Sequence, residues 1–401
     1  MNRRTVVKKK MNFMNYVAVL SVFFFAGAGT FMNAAMEVIM SAFPDLSAST
    51  VRLVVTLPPL ASLPVMLVIG GIVGKKLSYR FCAIFGTLLI AAGGVAPFFL
   101  NSNFNMIIFF RALVGIGVGF LGIRNPLLVG SVPENRQTQF IGYGTVIWTL
   151  GATVASPVVG YFATISWRHA FLFDAFAFIP VILMLFFLRE PENGGETIQE
   201  STDIPKEKGK FNWRMYFYIG MMLVFCFAVY PLLSALTTYM ADKNIGNAVV
   251  AGTILSSYTL AGVLSNLILD KIQNLLKKKT VAVLCLMVVI GIAFTLFMPS
   301  IPTLFAGVFI AGVGFNTYFS IMQVYNAQVA PPAAMASGST WLLVMLQLGI
   351  FLSTYFISIC HGILHRSSDA ESSYIVALII FIIMTVVCFV LPIAPPDKDD
   401  N

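Results

Sequence analysis

Two ionisable residues of opposite sign stand inside long apolar stretches: Glu37 in the segment 16–43 and Arg111 in the segment 105–128. A charge in such a setting is costly, so it faces protein or water and carries a presumption of function. Both lie near the same end of their segments and could meet across the interior. The pair would then be a structural ion pair, or a proton-responsive one in which protonating Glu37 frees Arg111 to bind an anion or to move. Polar residues line up around them at helical spacing, where positions four or seven apart share a face. One row holds Thr30, Asn33 and Glu37, a second Tyr230, Ser234 and Thr237, and a third Asn316, Ser320 and Gln323. A fourth face gathers Arg111, Gly115, Gly119, Gly122 and Asn125 within about 120° of arc. Hydroxyls and amides in such rows either contact a solute or bond helix to helix, whereas the glycines read first as close-packing positions.

Other candidates carry less. The run "GGIVGKK" from Gly70 to Lys76 looks like a phosphate loop, but its glycine spacing is one residue short and Leu77 stands where a hydroxyl is needed. Arg124 points about 140° away from Arg111 and near the other end of the helix, which suits snorkelling. Asp174 and Asp270 read first as helix-end or gate residues. Cys82, Cys226, Cys285, Cys360 and Cys388 fall singly within apolar segments, without metal-ligand spacing, and read as packing residues. His169, His361 and His365 lie near segment ends and read as interfacial. No stretch gathers a nucleophile, a base and an orienting acid. The chain is therefore expected to be neither an enzyme nor a holder of a metal or cofactor. Among the aromatic residues, Tyr230, Tyr258, Tyr318, Tyr325, Trp148 and Trp341 are candidates to line an interior pocket, with packing as the alternative.

These side chains need membrane-spanning helices to position them. The 401 residues are 58% hydrophobic and 10% charged, and a bilayer core takes about 20 apolar residues per helical crossing. Twelve spans are expected: 16–43, 51–73, 81–100, 105–128, 139–164, 170–188, 214–240, 248–269, 280–298, 302–327, 335–360 and 373–394. The basic start followed by an apolar run resembles a signal peptide, but the run is too long for a signal core and reads as a retained first span. Nineteen of the 25 Lys and Arg fall before the first span, after every even-numbered one, or at the C-terminus. Because basic loops stay in the cytoplasm, both termini are expected there, in a bacterial-style plasma (inner) membrane. The net charge of +8 is largely this asymmetry and gives no support to nucleic-acid binding.

Residues 189–213 are polar, contain Gly and Pro, and form a linker between two sets of six spans, 1–188 and 214–401. Gly117-Val118-Gly119-Phe120 recurs as Gly312-Val313-Gly314-Phe315, an offset of 195. The same offset lays Gly71–Lys76 on Asn266–Lys271, which points to two parallel halves.

At this point the chain resembles the major facilitator superfamily over nearly its whole length. The family loop GxxxDRxGRR between the second and third helices is matched by Gly71, Lys75, Lys76, Ser78, Tyr79 and Arg80, with Lys75 in place of the acid and Ser78 in place of the second glycine. The fourth-helix signature RxxxG is matched by Arg111, Gly115, Gly117 and Gly119; the fifth-helix GP motif of the antiporters is present in part, as Ser156 to Gly160; and Trp167, Arg168 and Phe171 match the start of the sixth. The resemblance implies an all-α integral membrane fold of two pseudo-symmetric six-helix bundles. It also implies alternating access around a cavity lined by the first, fourth, seventh and tenth helices. The expected activity is secondary transport of a small organic solute by a monomer, coupled to protons. Efflux of an amphipathic compound is favoured, with carboxylate uptake or exchange as the alternative. A non-transporting membrane sensor on the same fold is the rival from another class. The acid at the position of Lys75 helps latch the halves in the family; here Asp270 occupies the equivalent place in the second half, so the latch is expected to be weakened or its polarity redistributed, with Lys75 and Lys76 serving chiefly as topology anchors.

Overall fold

The computed structural model describes residues 13–133, 136–191, 211–331, 335–365, 368–391 and 393–395. Within them, eleven helices are long and apolar enough to cross a membrane and a bent pair supplies a twelfth span. In the first half α1 is that pair, Phe13–Phe24 and Ala28–Ala42, set at 51° to each other. It is followed by α2 (Ala48–Ile72), α3 (Tyr79–Phe99), α4 (Phe104–Ser131), α5 (Gln139–Ile165) and α6 (His169–Phe187). The second half holds α7 (Trp213–Ser234, prolonged by Leu236–Asp242), α8 (Ala248–Leu267), α9 (Thr280–Phe297), α10 (Ile301–Val329), α11 (Met335–Leu364) and α12 (Asp369–Val390). The observed bounds lie close to those expected from hydropathy. Odd-numbered helices leave the side of the linker, here the linker side, and even-numbered ones return from the far side.

The termini of these helices are capped from the sequence. Ser47 accepts the Thr50 N–H at the start of α2, and Asn247 accepts the Val250 N–H at the start of α8. Asn103 does the same for α4, and Ser300 with Thr303 forms a capping box for α10. Each cap satisfies a backbone donor that the first helical turn leaves without a partner.

Matching features fix the register of the two halves. The last turns of α1 and α7 restart after Ala35 (φ −103, ψ 0) and Ala235 (φ −111, ψ 4), which have nearly the same non-helical geometry. A Cβ on Gly115 would meet Pro58 and Ala61; one on Gly312 would meet Tyr258 and Ala261. Likewise Gly117 packs on Gly86 and Ile90, as Gly314 packs on Leu284 and Val288. Gly115 therefore corresponds to Gly312 and Gly117 to Gly314. The repeat noted in the sequence joins the right helices two residues out of register, because alternate glycines within one helix face different neighbours. In the first two helices of each half the separation is 200 residues, from Ala35 to Ala235. The segment Gly71–Lys76 then corresponds to 271–276 and not to 266–271, so Asp270 is not the counterpart of Lys75. The side chain of Asp270 lies outside the described residues.

Candidate functional site

The first half is held together around Arg111. Pro58 interrupts α2 and has no N–H, so the Val54 carbonyl one turn earlier has no helical donor. Arg111 Nε donates to that carbonyl at 2.8 Å. Its Nη2 donates to the carbonyls of Gly29 (2.9 Å) and Ala28 (3.4 Å), where α1 bends. Nη1 reaches Asp174 Oδ2 on α6 at 3.4 Å, and neither side chain has any exposed surface. Gly94 leaves room for the carboxyl group, since a Cβ there would overlap the Asp174 side chain. One guanidinium on α4 thus ties together α1, α2 and α6, using a rigid fork of donors that lysine lacks.

The expected Glu37–Arg111 pair is not formed. Residues Ala28–Ala35 form a 3₁₀ helix, which rises about 2.0 Å per residue with 3.0 residues per turn, against 1.5 Å and 3.6 in an α-helix. Over eight residues that moves Glu37 about 4 Å along the axis and about 160° around it. Glu37 comes to the far side, where Ser41 Oγ donates to its Oε1 (3.1 Å) and its own N–H donates to Thr237 Oγ1 of the other half (3.3 Å). Asp174 takes the place expected for Glu37. It is an interior partner of Arg111 and not a helix-end residue. Its signal in the sequence was the same as that of Arg111, a charge inside an apolar span.

Between the halves lies a cavity of about 250 Å³. Of the expected residues it is lined by Thr30, Asn33, Tyr230, Asn316, Trp148 and Tyr258. Thr30 and Asn33 stay on one face because positions three apart eclipse in a 3₁₀ helix. Asn33 Nδ2 donates to Tyr230 Oη (3.2 Å), a bond between the halves at the cavity wall. Asn316 Nδ2 donates to the carbonyls of Gly312 (2.8 Å) and Tyr258 (3.3 Å). Sequence reasoning missed Gln347, which lines the cavity and donates from Nε2 to Ser62 Oγ across the halves at 3.2 Å; it is the one amide in the apolar middle of α11. Phe31, Phe315 and Ser156 line it as well. No Lys, Arg, Asp or Glu is among the described lining residues. Asn33 Oδ1 and Tyr258 Oη are buried there without a partner among the described residues.

The remaining expected residues lie elsewhere. Ser234 is buried and donates to the Tyr230 carbonyl (3.3 Å). Thr237 faces Asn33 and Glu37 on the far side. Ser320 donates to Asn266 Oδ1 (2.9 Å), one turn beyond the cavity, and Gln323 is half-buried further along the same row. Asn125 and Trp341 are exposed and outside the cavity lining. Tyr318 stacks on Phe225 with centroids 3.8 Å apart, so it packs the second half. Arg124 folds back to the Leu121 carbonyl (3.5 Å). In the loop after α2, Gly74 has φ 77 and closes a tight turn by donating to the Leu77 carbonyl. Gly71, Lys75 and Lys76 are exposed around it. Arg80 donates to the Leu185 carbonyl (2.7 Å), while Glu190 accepts the N–H groups of Tyr79 and Arg80 at 2.6 and 2.9 Å. The acid that serves this loop comes from just beyond α6, at the start of the linker.

On the far side the halves touch closely. Pro157 in α5 frees the Thr153 carbonyl, and Ser256 of α8 donates to it at 2.6 Å. Gly252 sits on the Ser156 carbonyl and Gly160 on that of Ala248, with no room for a Cβ at either. Thr56 and Thr354 share a hydrogen bond of 2.8 Å, and Arg52 pairs with Asp369 at 3.4 Å. Together these contacts close the cavity towards the far side.

Two six-helix bundles thus enclose a polar and aromatic cavity, an all-α membrane-spanning architecture. The chain belongs to the Major Facilitator Superfamily, whose model matches residues 18–354 and 221–401. It is similar to an MFS-type transporter, ppz2, of Metarhizium majus, at 32% identity over 178 residues. That match covers 41% of this chain and 29% of the relative's length. In fold it is similar to the nucleoside transporter NupG (TM-score 0.74, 14% identity, 94% of this chain and 99% of the other). A bacterial homolog of the human lysosomal transporter Spinster, inward-facing and occupied, gives a TM-score of 0.70 at 15% identity over 94% and 95% of the chains.

Proposed function

We propose that this chain is a secondary transporter that moves a small, uncharged or weakly charged amphipathic organic solute by alternating access. The observation that carries this reading is the lining of the central cavity. Asn33 Oδ1 and Tyr258 Oη offer buried polar atoms among aromatic walls, and no fixed charge is among the described lining residues. A carboxylate solute would need a cation to hold it, but Arg111 is committed to Asp174 and three carbonyls behind the cavity wall. An amphipathic solute is therefore favoured over a carboxylate.

Transport requires the far-side contacts to break and a linker-side closure to replace them. Glu37 sits where that change is felt, lining two far-side clefts and bonding to Thr237 across the halves. We assign it the proton-coupling role, with the linker side cytoplasmic on the strength of its basic residues. The test is uptake and efflux in proteoliposomes under an imposed pH gradient, first with lipophilic dyes and then with carboxylates. Dye movement that Glu37→Gln uncouples from the pH gradient, while exchange down a solute gradient survives, supports the reading. Carboxylate flux without dye flux overturns the solute class; unchanged gradient-driven flux in Glu37→Gln overturns the coupling role.

A further inference from the structure

The three amides of the central cavity differ in their partners but not in what they leave free. Asn316 faces the carbonyls of Gly312 and Tyr258, and its Nδ2 donates to both, at 2.8 and 3.3 Å. The opposite orientation would set three oxygens together, so the nitrogen belongs on the protein and Oδ1 is left over. Gly262 makes room for this amide, since a Cβ there would overlap it. Gln347 is fixed by a chain of two bonds. Ser62 spends its hydroxyl hydrogen on the Pro59 carbonyl at 2.7 Å, so its oxygen accepts, and Gln347 Nε2 is the donor it accepts from at 3.2 Å. Asn33 gives Nδ2 to Tyr230 Oη, and its Oδ1 is buried without a partner among the described residues.

The hydroxyls follow the same rule. Thr30 Oγ1 donates to the Gly27 carbonyl at 3.1 Å and Ser156 Oγ to the Ala152 carbonyl at 3.3 Å, each within its own helix. These side chains line the cavity with their hydrogens turned to the protein and oxygen lone pairs to spare. Among the described lining side chains only the indole of Trp148 is a donor that cannot accept, while the hydroxyls of Tyr230, Tyr258 and Thr259 can do either. A wall of this kind favours a solute that brings hydrogens. A solute carbonyl or ether oxygen would meet other oxygens and give up its water without replacement. The rings of Phe31, Trp148 and Phe315 stand around a space of about 250 Å³, and aromatic faces favour another flat ring.

We propose that the solute of this cavity is a flat aromatic compound bearing N–H or O–H donors, and that Asn33, Asn316 and Gln347 are the acceptors that select it. The inference rests on the reading of this cavity as the solute site and adds the polarity of the solute to it. Asn33 belongs to the first half and Asn316 and Gln347 to the second, so a solute with donors at two edges ties the halves to each other.

Carbazole and dibenzofuran share one three-ring shape and differ in an N–H donor against an ether oxygen; fluorenone presents a carbonyl at that place. Each is titrated into the purified full-length protein in detergent, and its affinity is read from the rise in melting temperature. Carbazole is expected to bind about tenfold more tightly than dibenzofuran, the worth of one hydrogen bond, with fluorenone weakest. At least one of Asn33→Leu, Asn316→Leu and Gln347→Met should bring the carbazole to dibenzofuran ratio to about one. Partition into detergent is the same for the wild type and a variant, so the change in ratio isolates the site. The comparison of the three compounds on the wild type needs no variant to fold. Equal affinity for carbazole and dibenzofuran, or tighter binding of fluorenone, overturns the donor requirement while an amphipathic solute still stands. A carbazole preference that survives all three variants overturns the acceptor assignment. No stabilisation by any of the three compounds overturns the flat aromatic class, and the inference falls with it.

Discussion

The fourth helix of the first half and the tenth of the chain meet their neighbours at the same glycines, yet one carries a buried arginine and the other does not. In the register set by Gly115 and Gly312, Arg111 corresponds to Val308, and both are fully buried. The neighbouring helices account for the difference. Pro58 in α2 leaves the Val54 carbonyl without a helical donor; Arg111 supplies that donor and adds bonds to the Ala28 and Gly29 carbonyls at the bend of α1. The helix α8 contains no proline, so nothing at Val308 calls for a cation, and the second half packs instead through Phe225 against Tyr318 and Phe381. A charge inside the membrane-spanning core is here explained by the backbone around it before any ligand is invoked.

The strongest way to break this comparison is Arg111→Leu. It strips the buried Asp174 of its partner and the Val54 carbonyl of its donor, and removing one partner of a buried pair costs about 3–5 kcal/mol. Thermal unfolding in detergent should show most of the protein lost, while Val308→Leu, which adds one methylene to a packed apolar position, should cost about 1–3 kcal/mol. Equal effects at the two positions would sink the comparison. Gly252→Val comes next: its side chain collides with the Ser156 carbonyl, and overpacking of about 1–3 kcal/mol falls on the far-side contact alone. Conformers open on that side should gain about tenfold or more in population, read as faster labelling of a cysteine introduced at Thr238 by a membrane-impermeant reagent. The five native cysteines are buried and give a low background.

Ser256→Ala is expected to cost about 1 kcal/mol. In a Pro157→Ala background the Thr153 carbonyl regains its helical donor, so the cost of the serine change should vanish in a double-mutant cycle. An undiminished cost would mean that Ser256 acts through something other than the freed carbonyl. The smallest effect belongs to the linker-side loop. Lys75 is exposed, and Glu190 already serves the start of α3, so Lys75→Asp should change stability by less than about 0.5 kcal/mol and leave the transport rate unaltered. A change in rate would restore the loop as a latch between the halves.

Hydropathy, spacing and residue type made the twelve spans, the two halves and six of the cavity residues legible: Thr30, Asn33, Trp148, Tyr230, Tyr258 and Asn316. They did so because bilayer thickness and helical period leave few alternatives. Legibility failed wherever the helix was not an α-helix. The 3₁₀ stretch at Ala28–Ala35 sent Glu37 away from Arg111, and the comparable stretch His169–Ala177 brought Asp174 inward. Gln347 escaped notice because one polar residue makes no row. The far-side contacts through Gly160 and Gly252 were invisible for a different reason, since a glycine does not announce which backbone it touches.

Those two glycines bear on how the molecule moves. Helices that pack by side chains mesh like gear teeth, and turning one past another lifts every ridge out of its groove. At Gly160 and Gly252 the partner surface is bare main chain, so the two halves meet there as smooth shafts. Parting along that line lifts no ridge from a groove, so a contact this close can open without any side chain being repacked.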